Sequence, residues 1–221
     1  MAKPGVRSHS SRGGRDRSAD TKRALVAAAV EVLELDGYGG ASARAIAEKA
    51  GCNQALIFYH FGTVVDLLLA ALDEVSALRW KRYGEALTQV HSTTELVDAA
   101  ADIFAEDLDT GHVAVLVEMI AGASSTPDLG DKVAARIEPW KKFAADAVAN
   151  TLGRNGLASL LPPEEAAHAI VALYLGLEML ALLDGDRGPA RSLFGRAKSI
   201  AAMFSPVDTA TTPQTRRGQK Q

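Results

Sequence analysis

The chain contains a single cysteine, Cys52, among its 221 residues. One cysteine excludes an internal disulfide framework and a cysteine-based metal cluster, and it fits a reducing cytoplasm. We interpret Cys52 itself as a small, buried apolar residue within a turn. The N-terminus is polar and basic with no apolar stretch behind it, so no signal peptide is predicted. These absences favour a cytoplasmic protein without a metal or other cofactor.

Enzyme motifs and strand patterns are also missing. The sequence has no Gly-x-Ser-x-Gly, no Gly-x-x-x-x-Gly-Lys-Ser/Thr and no His-Glu-x-x-His, which are signatures of serine hydrolases, nucleotide-binding proteins and zinc peptidases. No alternating run of apolar and polar residues predicts a strand of any length. The sequence therefore predicts an all-α protein that is not an enzyme.

The net charge of −3 conceals a strong asymmetry along the chain. Residues 1–23 carry seven basic and two acidic side chains, so they contribute +5 and the remaining chain contributes −8. Residues 1–18 are rich in Gly, Ser and Arg and show no apolar periodicity, which predicts a disordered basic arm. Such an arm fits contact with DNA phosphates and a merely solubilising role about equally well. Residues 205–221 are predicted to form a second disordered tail.

Apolar side chains recur at three- and four-residue steps through most of the remaining chain, which is typical of helices. The first predicted helix covers residues 19–36 and is closed by Gly37. Pro139 lacks the amide hydrogen that a helix interior uses, so it is predicted to kink or divide its helix. The later helices are predicted at residues 64–89, 92–108, 112–122, 127–152, 163–183 and 189–204.

The stretch from Ser42 to Phe61 reads as two short helices separated by a glycine turn. Ser42 is a good N-cap because its hydroxyl can accept a hydrogen bond from an amide of the first turn. Gly51 can adopt the left-handed conformation that ends the first helix, and Asn53 can cap the second. This pattern predicts a DNA-reading helix-turn-helix, and the alternative is an ordinary αα-hairpin within a helical core.

Four segments carry a resemblance to a known family. They are TKRALVAAAVEVL from Thr21, Asp36–Tyr38, Ala45–Cys52 and Ile57–Gly62. Together, residues 21–72 resemble the DNA-binding domain of the tetracycline-repressor (TetR) family, while the rest of the chain is similar to that family only in length and helical character. The resemblance implies an all-α fold. An N-terminal three-helix helix-turn-helix domain would occupy residues 19–65, and a helical ligand-binding and dimerisation domain residues 66–204.

The resemblance also implies a homodimer whose last two helices form a four-helix bundle with those of a second copy. In this chain they are the helices predicted at residues 163–183 and 189–204. The first is apolar nearly all round, and Gly176 would permit close approach across a two-fold axis. The alternative is a central helix of a monomer. His168 and Glu178 within this helix favour a buried bundle helix over a membrane span.

For DNA binding, the resemblance implies that Arg44 reaches DNA from the second helix. It further implies a recognition surface on the third helix, formed by Gln54, Ala55, Leu56, Phe58, Tyr59 and His60. The family has a hydroxyl at the position of Phe58 and a lysine at that of Val64, both of which contact phosphate, and this chain has neither side chain.

Side-chain chemistry supports the same surface. Glutamine pairs with adenine through two hydrogen bonds, and alanine or leucine can meet a thymine methyl group, so Gln54, Ala55 and Leu56 are candidates for direct base readout. His60 also fits a purely local role, packed between neighbouring aromatic rings. The candidates for phosphate contacts that fix the register are Arg44, Tyr59 and His60.

The middle helices would enclose a pocket for an inducing ligand. Its candidate lining residues are aromatic, histidine or methionine side chains that could equally be plain core: Phe104, His112, Met119, Trp140, Phe143, His168, Tyr174 and Met179. The predicted break at Pro139 lies beside two of them and offers a place for a small molecule to enter. The sequence does not identify the ligand.

We therefore interpret the chain as a transcriptional repressor that is released from a palindromic double-stranded DNA operator by a small molecule. Two alternatives use the same fold. A transcriptional activator differs only in where the operator lies, which no residue records. A DNA-binding architectural protein without sequence preference would need more basic surface than the acidic body offers.

Overall fold

The computed structural model of the protein describes residues 10–88, 90–152 and 162–203. Over those residues the chain is helical and has no strand, which confirms the predicted all-α fold. The helices are α1 Ser10–Gly40, α2 Ala43–Lys49, α3 Ala55–Phe61, α4 Val64–Thr88, α5 Thr93–Thr110, α6 His112–Ala123, α7 Leu129–Leu152, α8 Pro163–Asp184 and α9 Gly188–Met203.

The first helix differs most from its prediction. It begins at Ser10 instead of Ala19, so residues 10–18 are helical in the structure rather than part of a disordered arm. Once a helix has a nucleus, each added residue gains a hydrogen bond at little cost, and this polar stretch contains no proline to stop it. The predicted end is confirmed: Gly37 leaves the helical conformation, with a φ of 69°. Residues 1–9 and the predicted tail at 205–221 lie outside the described residues.

The remaining helix bounds differ from the predictions by a few residues at most. Pro139 does not divide α7, which continues through it from Leu129 to Leu152. The start of α7 is later than predicted because Pro127 lies in a turn and Asp128 has a φ of 59°, which no helical residue adopts. Ser92 caps α5 by accepting a hydrogen bond from the amide of Glu95 at 3.2 Å.

One hydrophobic core connects the N-terminal helices with the body of the protein. Leu33, Ile46, Ile57 and Leu68 pack in the same buried cluster as Met119 of α6 and as residues of α7. No gap in this core coincides with the domain boundary that the sequence placed between residues 65 and 66. Helix α4 crosses that boundary without interruption. A second, smaller cluster joins α5, α8 and α9 around Phe104.

Helix α8 buries only one side of its apolar surface. By length and hydropathy it could cross a membrane, but it packs against α5, α6 and α7 and carries the fully buried Glu178. Its other side leaves apolar side chains accessible: Met179, Leu180 and Leu183 are between 41% and 79% exposed. The single chain therefore leaves an apolar face of α8 without a partner among the described residues.

Tyr38 joins the end of α1 to α6. Its backbone amide donates to Glu118 Oε2 at 2.8 Å, and its hydroxyl shares a hydrogen bond with Thr126 Oγ1 at 2.8 Å. Its ring lies against Gly122, where an added Cβ atom would come within 2.5 Å of the ring carbons. We call these residues the Tyr38 junction. Only glycine fits at position 122 without displacing the ring.

We expect Gly122→Ala to destabilise the protein by about 1–3 kcal/mol, because the new methyl group must displace the Tyr38 ring from a packed position. The measurement is the free energy of unfolding by urea. Gly84→Ala is the matched control, since Gly84 lies in α4 with no atom within 4 Å of its added Cβ. That variant should gain about 0.5–1 kcal/mol from helix propensity. Equal stabilities of the two variants would contradict the proposed crowding.

Candidate nucleic-acid interface and interior cavity

The helix-turn-helix is built by the local signals that the sequence predicted. Ser42 Oγ accepts a hydrogen bond from the Ala45 amide at 3.2 Å and caps α2. Gly51 has a φ of 64°, which reverses the chain at low steric cost. Asn53 Oδ1 accepts from the Ala55 amide at 2.8 Å and starts α3. Ile57 is fully buried and anchors α3 against the core.

The outer side of α3 is unusually aromatic. Tyr59 is 79% exposed and Phe58 is 52% exposed, and adjacent exposed rings of this kind mark a candidate contact surface. Gln54 and Ala55 are also exposed at the start of the helix, while Leu56 is partly buried against the core. Most of the predicted recognition residues on this helix are therefore exposed to solvent. Leu56 is less exposed than Gln54, Ala55, Phe58 and Tyr59.

His60 lies between its neighbours. Its ring centroid is 4.9 Å from that of Tyr59, in an edge-on arrangement, and 6.4 Å from that of Phe61. His60 is partly buried. This geometry favours the local packing role over a free phosphate contact.

Basic side chains flank α3 from two sides. Arg44 on α2 is exposed and forms no ion pair within the described chain. Lys49 is instead paired with Glu31 at 2.6 Å. Lys22 of α1, which sequence reasoning did not select, has its ammonium group 5.4 Å from the Phe61 ring centroid. Among the described residues, Arg44 and Lys22 are thus candidate cations beside the predicted recognition surface.

A cavity of about 370 Å³ lies within the helical body. Its wall is mainly apolar and is formed by residues of α4 to α9. Of the residues predicted to line a pocket, four are on this wall: His112, Trp140, Phe143 and Tyr174. The volume falls within the roughly 300–1,000 Å³ that is usual for pockets holding small organic ligands.

The other four predicted lining residues lie elsewhere. Met119 is fully buried in the main core, next to the N-terminal helices. Phe104 packs in the smaller cluster and faces a separate cavity of about 180 Å³ between α5 and α9. His168 and Met179 are exposed on α8. Met179 follows Tyr174 by five residues, which places it about 140° away around the helix and off the cavity wall.

A buried polar cluster closes one end of the cavity. Asp107 of α5 is fully buried and accepts hydrogen bonds from Arg79 Nη2, from the Tyr174 hydroxyl at 2.8 Å and from the Tyr83 hydroxyl at 3.3 Å. We call these four residues and Glu178 the Asp107 cluster. Burial is the main cause that raises the pKa of both tyrosines, and the Asp107 carboxylate adds to the effect. Both hydroxyls therefore remain donors at neutral pH.

Glu178 carries no charge at neutral pH. Its side chain is fully buried, and neither carboxyl oxygen has a hydrogen-bond partner among the described residues. Burial raises the pKa of Glu178 to about 9, an effect that Arg79 reduces and Asp107 reinforces. A protonated carboxyl group avoids placing a second buried negative charge beside Asp107.

Arg79 and His112 bring unused polar atoms to the cavity wall. Arg79 Nε and His112 Nδ1 are both buried, and neither has a partner in the part of the chain that the structure describes. The guanidinium carbon of Arg79 lies 5.0 Å from the centroid of the Trp140 ring. Burial lowers the pKa of His112, so its ring is neutral near pH 7. Trp140 is itself satisfied, because its Nε1 donates to Ser76 Oγ at 2.9 Å.

Sequence reasoning did not find Arg79, Asp107 or Glu178. Helix α5 contains several acidic residues, and its sequence gives no sign that Asp107 alone among them faces inward with no exposure. The one available signal was Glu178, an acidic residue within an otherwise apolar helix. Such a residue is rarely buried without a function or a partner.

We expect Glu178→Gln to stabilise the protein more at pH 8 than at pH 5. The folded state keeps a proton on Glu178 up to about pH 9, whereas the unfolded chain releases it near pH 4.5. Stability from this group therefore falls as the pH rises through that window. Thermal denaturation at both pH values measures the effect. Glu165→Gln, an exposed position of the same helix, is the control, and the prediction fails if both variants behave alike.

Comparisons with known proteins agree with this geometry. The family model described as bacterial regulatory proteins, tetR family, matches residues 25–71, from α1 into α4. A helix-turn-helix-type transcriptional regulator from Mycobacterium tuberculosis, itself uncharacterised, is 26% identical over 158 residues. These are 71% of this chain and 78% of the relative.

Two solved structures share the fold. A transcriptional regulator from Saccharomonospora viridis, in complex with choline, has a TM-score of 0.65 at 20% identity and covers 84% of this chain and 95% of its own. The regulator FadR from Bacillus subtilis, in complex with stearoyl-CoA, has a TM-score of 0.66 at 16% identity and covers 83% of this chain and 98% of its own. With its helix-turn-helix and these likenesses, the chain carries a DNA-binding domain of the TetR family of bacterial transcriptional regulators in residues 25–71.

Proposed function

We propose that the protein is a homodimeric repressor that binds a palindromic operator and is released from it by a small molecule held in the interior cavity. One observation carries the proposal: α4 belongs to both sites. Leu67 and Leu68 at its start pack in the core that supports α2 and α3, while Val75, Ser76 and Arg79 line the cavity. A ligand that displaces α4 at the cavity would therefore also displace the helix-turn-helix.

For DNA binding, the exposed face of α3 supplies the base contacts. Gln54 stands at the start of α3 with Ala55 beside it, where an amide can meet an adenine edge in the major groove. Phe58 and Tyr59 provide an exposed apolar and aromatic face. Arg44 and Lys22 neutralise phosphates on either side.

For assembly, the free apolar face of α8 is the proposed dimer contact. Its exposed leucines continue onto α9, where Ile200 is 57% exposed. Gly176 lies on α8 with no atom within 4 Å of its added Cβ, so the single chain leaves open space there. A second copy of the same face would cover these side chains and pair the two recognition helices about 34–36 Å apart, or more on a longer operator.

For regulation, two links connect the cavity to the DNA-binding helices. Helix α4 is the first. The Tyr38 junction is the second, since α6 supplies Leu116 and His112 to the cavity wall and Glu118 to the end of α1. Structures of the same fold hold choline and stearoyl-CoA, which supports a ligand-binding role for the helical body. We place the protein in the cytoplasm, where it would meet DNA.

The function is tested by selecting binding sites from random double-stranded DNA and then footprinting the selected site. A repressor or activator yields a palindromic consensus, and an architectural protein yields none. Gln54→Ala should cost about 1–3 kcal/mol on the selected site and relax one base position in each half-site. Arg44→Ala should weaken all sequences alike and make the salt dependence shallower, because it removes a phosphate contact. Unchanged operator affinity of Gln54→Ala would remove Gln54 from base readout.

The dimer is tested with Gly176→Arg, which places a long charged side chain on the free face of α8. We expect this variant to sediment as a monomer and to lose most of its operator affinity, while wild type sediments as a dimer. Gly84→Arg is the matched control, because Gly84 is also a helical glycine with open space around it. A monomeric wild-type protein that still binds its operator tightly would refute the proposed assembly.

A further inference from the structure

The cavity wall separates positive from negative groups. Arg79 and His112 lie on the wall, together with Arg136. No acidic side chain lines the cavity in the described chain, because Asp107 and Glu178 lie behind Arg79 and Tyr174 and are fully buried. A molecule in the cavity therefore meets cationic and neutral hydrogen-bond donors before it meets any carboxyl group.

The two arginines on the wall differ in how they are satisfied. Arg136 forms a bidentate pair with Asp73, through Nε at 2.7 Å and Nη2 at 2.9 Å, near the protein surface. Arg79 has an 11% exposed side chain and forms one hydrogen bond within the described residues, from Nη2 to Asp107. An arginine carries five N–H donors. Of these, the Nε donor of Arg79 is buried and has no partner in the described chain.

An unused buried donor has an energetic consequence. A guanidinium group removed from water without enough acceptors costs free energy, which a bound acceptor recovers. His112 adds a second available group, since its Nδ1 has no partner and its ring is neutral. Beyond this polar end, the wall is formed by the rings of Trp140 and Phe143 and by aliphatic side chains of α4, α7 and α8.

We infer that the ligand of this cavity is an apolar molecule that ends in a carboxylate, which pairs with the guanidinium of Arg79 while the apolar part packs against Trp140 and Phe143. Carboxylate matches the planar fork of arginine better than other common end groups do. The inference rests on the proposed function of the cavity as a ligand site. It adds the chemical class of the ligand and the residue that selects it.

A cationic ligand is the competing class, because Glu178 has two carboxyl oxygens without partners. The positions of the groups argue against it. A cation would lie against Arg79, which is on the wall, whereas Glu178 is fully buried and is not part of the wall. Like charges at close range in a poorly solvated site repel strongly.

The test uses two sets of matched probes that differ only in the end group. One set is 4-phenylbutyrate, 4-phenylbutanamide and 4-phenylbutylamine, and the other is decanoate, decanamide and decylamine. Binding is followed by intrinsic tryptophan fluorescence. The chain has two tryptophans: Trp140 lines the cavity, and the ring centroid of Trp80 lies 4.9 Å from that of Trp140. In wild type, we expect the carboxylate of at least one set to bind roughly tenfold to a hundredfold more tightly than its amide and amine.

Arg79→Gln should reduce carboxylate affinity by at least about tenfold and leave amide affinity nearly unchanged. Arg82→Gln is the matched control, since Arg82 lies one turn further along α4, pairs with Glu106 at 2.5 Å and is 68% exposed. It should keep the preference for carboxylate. Thermal denaturation of each variant shows whether it is folded. If Arg79→Gln does not fold, the comparison of the three end groups in wild type still tests the inference.

Three results would overturn the inference: equal affinity for the three end groups, a preference for the amine, or no binding of either carboxylate. A preference for the amine would assign recognition to Glu178 instead. Release of fluorescently labelled operator DNA is measured in parallel. Preferential binding of carboxylate without release of DNA would leave this inference standing and refute the proposed regulation. Release of DNA by the amine or the amide, together with equal affinities or a preference for the amine, would refute this inference and leave the proposed regulation standing.

Discussion

The helical body is organised around one buried carboxylate that must be satisfied. Asp107 receives hydrogen bonds from Arg79 and Tyr83 of α4 and from Tyr174 of α8. Because no water reaches a fully buried side chain, these donors cannot be exchanged for solvent. Removing one partner from such a pair typically costs about 3–5 kcal/mol. The carboxylate therefore fixes α4, α5 and α8 relative to one another. The cavity is the space that remains between these helices and their neighbours.

In the proposed mechanism, the same interaction links the ligand to DNA. A ligand carboxylate at Arg79 shares one guanidinium group with Asp107, so a shift of Arg79 toward the ligand also shifts α4. The first half of α4 lies in the core beneath α2 and α3, so a change at Arg79 reaches the recognition helix through continuous packing. The Tyr38 junction limits how α1 can follow, since Glu118 holds the Tyr38 amide. Reciprocity requires that operator DNA weakens ligand binding by the same factor as the ligand weakens DNA binding.

The sequence was most informative where structure is decided locally. Ser42, Gly51 and Asn53 act within four residues of their own positions, and each was found in its predicted role. The cavity depends on contacts between distant segments. Trp140 and Tyr174 were selected as aromatic side chains of the predicted ligand-binding helices, but Met119, selected with them, packs in the core instead. Asp107 could not be chosen from the acidic residues of α5, because its distinction lies in Arg79, 28 residues away.

Helix α8 shows why composition alone left several readings open. Its apolar residues fit a membrane span, a central core helix and a dimer contact equally well by count. In the structure, the side chains of α8 differ in the direction that they face. Tyr174 and Leu177 face the cavity, Glu178 is fully buried, and Leu180 and Leu183 remain accessible on the outside. A buried carboxyl group is tolerated in this helix because it can stay protonated. The outer leucines have no such adjustment available, and only burial against another apolar surface removes them from water. The face that carries the proposed dimer therefore lies directly behind the residues that close the cavity, so subunit contact and ligand binding act on the same helix.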